Sequence, residues 1–151
     1  MAFFRVEPPE KGRIYLIKNG VWQGYSTLTK YAGGHTITSN ENDYCWLQGV
    51  TANNTNSSVV NYPFPAMAKR LIIKGAHIGV AQETGHGVGI ATNTNVTSDF
   101  NQLSPAMVIN SATDQDGSLD LTSISSDKYL YIINAGGTNP RLYIKDMYFE
   151  M

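Results

Sequence analysis

Asp114, Asp116 and Asp120 are three carboxylates within a span of seven residues, the densest set of hard oxygen donors in the chain. Calcium is held by such groups, but the full EF-hand spacing and its closing glutamate are missing here. The Asp116-Gly117 turn uses the same residues without a metal, so calcium is the one cofactor to test and no other is expected. A second set is aromatic and polar. Trp22, Trp46 and Tyr44, with Asn42 and Asp43 beside them, are residue types that stack on sugar CH groups and hydrogen-bond to hydroxyls. A third is the loop Glu83-Thr84-Gly85-His86-Gly87-Val88-Gly89, in which glycine spacing presents His86 at a bend. That spacing matches neither the dinucleotide fingerprint nor a P-loop.

Catalytic chemistry finds little to work with. His35, His77 and His86 lie in three separate segments, and no G-x-S-x-G nucleophile turn accompanies them. The expectation is a non-enzymatic protein.

Charge and cysteine content narrow the partners. In 151 residues the net charge is −1, and only 15% of side chains are charged. Displacing counterions from phosphates needs a basic stripe, so nucleic acid is not an expected partner. Cys45 is the single cysteine, which excludes an intramolecular disulfide. No apolar run approaches the ~18 residues of a membrane-spanning helix. Arg5, Glu7, Pro8 and Pro9 stand where a signal peptide needs an apolar stretch, so synthesis in the cytoplasm without export is expected.

These residues must be positioned by short strands. Residues 1–12 read as an N-terminal arm, because Pro8-Pro9 and Gly12 interrupt regular structure, and its Phe3 and Phe4 need a surface to bury against. Residues 13–151 read as one domain. RIYLIKNGVWQGY opens it with an apolar strand, an Asn19-Gly20 pair suited to a type I′ turn, and a returning strand. The alternation places Val21 inward and Trp22 outward. In YCWLQG, Cys45 and Leu47 are assigned to the core, and Tyr44 and Trp46 to the outside. Further β-rich runs include Leu71 to Lys74, Ala76 to Gln82, Leu119 to Ile124, Tyr129 to Asn134 and Leu142 to Glu150. With no amphipathic helix among them, they predict an all-β, antiparallel two-sheet β-sandwich of jelly-roll type.

The order of RIYLIKNGVW near the start, LDLTSIS followed by YLYII, and YIKDMYFE at the end resembles the jelly-roll modules of phage and prophage virion structural proteins. These are themselves akin to carbohydrate-binding modules. The resemblance implies a virion-associated subunit that assembles with copies of itself, a trimer by analogy, and with other virion proteins through Phe3, Phe4 and His86. It also implies contact with host-surface glycans. The alternative is a free carbohydrate-binding module or lectin using Trp22, Trp46, Tyr44, Asn42 and Asp43. Fold analogy alone licenses neither ligand nor partner.

Overall fold

The structure is a computed structural model that describes residues 12–23, 28–30, 35–41, 43–49, 58–60, 62–63, 65, 67–79, 86–91, 104–124, 129–134 and 141–151. Side chains are described for 12–23, 43–45, 65, 67–79, 104–124, 130 and 142–151.

The strands in chain order are β1 (Arg13–Lys18), β2 (Val21–Trp22), β3 (Leu28–Lys30), β4 (His35–Glu41), β5 (Tyr44–Gly49), β6 (Ser58–Val60) and β7 (Tyr62–Pro63). They continue with β8 (Arg70–Ile78), β9 (His86–Ala91), β10 (Ala106–Val108), β11 (Gln115–Asp120), β12 (Tyr129–Asn134), β13 (Arg141–Ile144) and β14 (Asp146–Glu150). Every described pairing is antiparallel. The larger sheet runs β2-β1-β14-β8-β13-β5-β4 with β11 on the other edge of β8, and a four-stranded sheet runs β10-β9-β12-β7. A small pair joins β3 to β6. The protein is an all-β antiparallel sandwich of jelly-roll type.

β8 organises the larger sheet. Its inward residues Leu71, Ile73, Ala76 and Ile78 are buried together with Leu142, Ile144, Met147 and Phe149 of β13 and β14. Leu119, Leu121, Ile109 and Leu130 join the cluster from β11, the adjoining loops and β12, as do Leu16, Ile17, Cys45 and Ala68. Each large side chain taken out of water here contributes roughly 1.5–3 kcal/mol. β13 and β14 behave as one strand along β8, interrupted only at Lys145. Its first half pairs on its far side with β5, and its second half with β1. Met151 N donates to Gly12 O at 2.8 Å, which extends the β1–β14 ladder by one step.

The opening hairpin forms as expected. Ile17 pairs with Trp22 and Lys18 with Val21, leaving Asn19 (φ 50°) and Gly20 (φ 75°) as the two turn residues with the positive φ of a type I′ turn. The facing of the returning strand is the reverse of the sequence expectation. Val21 is 39% exposed, whereas Trp22 is partly buried and packs on the core. The cause is a bulge in β1. Tyr15 pairs with Tyr148 and Ile17 with the next residue, Met147, so Leu16 is extra and both Leu16 and Ile17 point into the core. That shift carries Trp22, the partner of Ile17, inward. Tyr15, before the bulge, keeps the regular alternation opposite Tyr148.

The second part of the glycine-rich stretch, from His86 on, is strand, while Glu83, Thr84 and Gly85 lie outside the described residues. His86, Gly87 and Gly89 belong to β9, which pairs with β10 on one side and β12 on the other. A strand held on both edges can carry glycine, because the ladder supplies the order that the residue lacks.

Candidate functional site

Two breaks in neighbouring strands shape the solvent side of the larger sheet. β8 turns at Gly75 (φ 63°), opposite the point where Lys145 separates β13 from β14, and Lys145 N donates to Lys74 O at 3.1 Å. A β-carbon on Gly75 would stand 2.8 Å from Cδ and 2.9 Å from Cγ of Lys145. Glycine therefore allows the lysine stem to lie across β8. The β1–β2 turn closes over the same point, with Gly20 N donating to Lys145 O at 2.9 Å. A β-carbon on Gly20 would come within 2.5 Å of Asp43 O and 2.6 Å of Tyr44 N. The two hairpin turns, Asn19-Gly20 and the one ending at Asp43 (φ 67°), thus meet over Lys145.

On one side of this junction sits a cluster of rings and charges. Tyr44 Oη donates to Asp114, with distances of 3.0 Å to Oδ1 and 2.9 Å to Oδ2. His77 Nδ1 lies 3.0 Å from Asp114 Oδ1, and Lys145 Nζ lies 3.9 Å from Oδ2. His77 stacks on its cross-strand partner Tyr143, with centroids 4.7 Å apart and planes 9° apart. Tyr44 meets His77 edge-on at 4.7 Å, and Lys145 Nζ stands 4.9 Å above the Tyr44 ring. Burial, reinforced by the bond to Asp114, pushes the Tyr44 phenol above its ordinary value. The neighbouring Tyr44 hydroxyl in turn raises the Lys145 amine, mainly through hydrogen bonding.

On the other side, Tyr15 and Tyr148 form a second cross-strand pair with centroids 4.9 Å apart. The Arg13 guanidinium stands 4.6 Å from the Tyr148 centroid and donates to Tyr15 Oη at 3.3 Å. Lys18 Nζ is 5.0 Å above the Tyr15 ring. These groups, with Asn19, Lys74 and Asp146, line a depression of about 380 Å³. A second depression of about 420 Å³, lined by Asn19, Asp43, Lys145 and Asp146, adjoins the first through Asn19 and Asp146. Asp146 Oδ1 accepts the Asn19 amide at 2.9 Å, which fixes that carboxylate at the border between them. The two ring clusters are thereby joined along one face by a polar trough. Shallow clefts that combine apolar rings with a few fixed polar groups suit polyhydroxylated ligands.

Of the residues proposed from sequence for sugar contact, Tyr44 and Asp43 lie in this face. Trp22 packs inward instead. Trp46 pairs at Cα level with Tyr143 and shares the strand parity of Tyr44; its side chain and that of His86 are outside the described residues, as are Asn42, Phe3 and Phe4 entirely. The three aspartates do not converge. Asp114 serves Tyr44 and His77; Asp116 Oδ1 accepts Gly75 N at 2.9 Å with Lys74 4.0 Å from Oδ2. Asp120 Oδ1 accepts the Thr122 hydroxyl at 2.6 Å and the Thr122 amide at 2.9 Å, and these bonds hold its carboxyl below the usual range. Among the described residues no group of three metal-ligating side chains forms. The sequence reading missed His77, Tyr143, Lys145, Tyr15 and Tyr148 as site residues. Tyrosines alternating with buried residues in RIYLIK and DMYFE were the available signal.

No known family matches the chain, and no curated protein matches it in sequence. Solved structures do. The fold is similar to that of a structure described as "Carbohydrate binding module family29", with a TM-score of 0.58, 12% identity, and 91% of this chain covering 86% of that one. It is equally similar, at TM-score 0.58 and 12% identity, to two point mutants of CBM29-2 made for probing the mechanism of ligand recognition by family 29 carbohydrate binding modules. In both cases 91% of each chain is covered. The likeness is one of fold, an antiparallel β-sandwich.

Proposed function

We propose that this chain is a non-catalytic glycan-binding module, whose ligand lies along the solvent side of the larger sheet. The observation that carries the reading is the pair of ring clusters, Tyr15–Tyr148 and Tyr44–His77–Tyr143, joined by the trough at Asn19, Asp43, Lys145 and Asp146. The likeness to carbohydrate-binding modules supports a free glycan binder over the virion subunit that the sequence resemblance suggested. The trimer and virion partners have no comparable support.

The test is calorimetric titration against a panel of soluble polysaccharides, with the parent chain, Tyr143→Ala and Tyr15→Ala, because Tyr148 is only 7% exposed. Stacked rings contribute about 0.5–1.5 kcal/mol beyond burial. At least one polysaccharide is expected to bind the parent and to bind each variant about 2- to 13-fold more weakly. Absence of binding across the panel, or binding untouched by both substitutions, overturns the reading.

A further inference from the structure

The rings of the Tyr15–Tyr148 pair are not bare platforms. Arg13 stands over Tyr148 and Lys18 over Tyr15, at 4.6 and 5.0 Å. A neutral sugar that stacked on either ring would displace a cation from a favourable seat. The same arrangement aims those cations at the about 380 Å³ depression, where Lys74 on β8 joins them. Three cations therefore line the depression with one carboxylate, Asp146, and a second carboxylate, Asp116, stands 4.0 Å from Lys74 beside it. Asp146 is already oriented by the Asn19 amide, so it remains as a fixed acceptor for a hydroxyl group. A ligand that satisfies this lining carries a negative charge for the lysines and arginine, and hydroxyls for Asp146 and Asn19.

We propose that this depression is a subsite for a hexuronate unit of an acidic polysaccharide, its carboxylate received by Lys18, Lys74 and Arg13 and its hydroxyls by Asp146 and Asn19. The proposal rests on the glycan-binding reading and narrows it to acidic polymers. The volume lies within the ~300–1,000 Å³ range of small-ligand sites. The partners converge from three strands and a turn: Arg13, Tyr15 and Lys18 on β1, Asp146 and Tyr148 on β14, Lys74 on β8, and Asn19 between β1 and β2. Such convergence fixes the direction from which the carboxylate enters. Because the Lys74 side chain is 51% exposed, its attraction is salt-sensitive.

The experiment is calorimetric titration with oligogalacturonate, with the same oligomer fully methyl-esterified, with mannuronate oligomers, and with polyglutamate as a sugar-free polyanion. The protein is the parent chain, Lys18→Gln, Lys74→Gln and the exposed Lys69→Gln as a charge-matched control. The expected result is binding of at least one uronate, loss of that binding on esterification or in high salt, and weakening up to about fivefold by each of Lys18→Gln and Lys74→Gln but not by Lys69→Gln. Circular dichroism confirms that the variants are folded. Three results overturn the proposal: esterified oligomer bound as well as the acid, polyglutamate bound as tightly as the uronates, or equal weakening by Lys69→Gln. If neutral polysaccharides bind and uronates do not, the subsite falls while the glycan-binding reading stands. If no polysaccharide of either kind binds, both fall.

Discussion

Replacing Gly20 by alanine separates two costs that the structure makes distinct. At φ 75° any side chain pays the left-handed penalty, about 1–2 kcal/mol. The new β-carbon would also press into backbone, 2.5 Å from Asp43 O and 2.6 Å from Tyr44 N. Backbone cannot rotate away as a side chain would, so the β1–β2 turn must lift from the β4–β5 turn. Relief of such overpacking costs a further ~1–3 kcal/mol. Gly12 supplies the control: its φ is 84°, but among the described residues no atom beyond its chain neighbours lies within 4 Å of the position its β-carbon would take. Gly12→Ala is therefore expected to cost about 1–2 kcal/mol, and Gly20→Ala about 2–5 kcal/mol. For a chain of this size each kcal/mol lowers the melting temperature by roughly 2–4 °C. Urea unfolding of the two variants beside the parent reads the difference directly. Equal destabilisation would refute the claim that the two turns are packed against each other over Lys145.

Trp22→Ala should act through packing, because this ring leans on the core: a loss of about 1–3 kcal/mol in urea unfolding is expected, with ligand affinity in the folded variant unchanged. A drop in affinity without a drop in stability would restore the outward placement. At alkaline pH, Tyr44 and Lys145 both have raised folded-state values, so their contribution to stability is complete below the ordinary values of 10.0 and 10.5 and is lost as pH rises through the folded ones. Asp114→Asn should lower the pH at which Tyr44 ionises, read as the phenolate absorbance that Tyr44→Phe removes; no movement of that transition would show that Asp114 does not govern Tyr44.

The sequence made visible what is local. Asn19-Gly20 sets its own turn because its φ preferences depend on two residues alone, and the alternation of apolar residues marked most of the strands around it. The facing of Trp22 was hidden because a single extra residue in β1 inverts parity, and no composition marks a bulge there. Tyr44 and Asp114 were both picked out, yet for different chemistries, one for sugar and one for calcium. Their hydrogen bond spans 70 residues and exists only because β5, β13, β8 and β11 lie side by side. Lys145 and Gly75 carried no signal, since what matters about them is that two strand breaks fall opposite each other.

The register of β1 against β14 has a mechanical consequence. Arg13 lies opposite Glu150, and the Gly12–Met151 bond sits one step beyond. A force drawing residues 12 and 151 apart thus acts across the ladder at its end. It opens the pair one hydrogen bond at a time, as a zip opens, and does not load all of them in shear. The sandwich should yield at low force when pulled from these two positions, and resist far more when pulled from Arg13 and Lys74, which lie on opposite sides of β14.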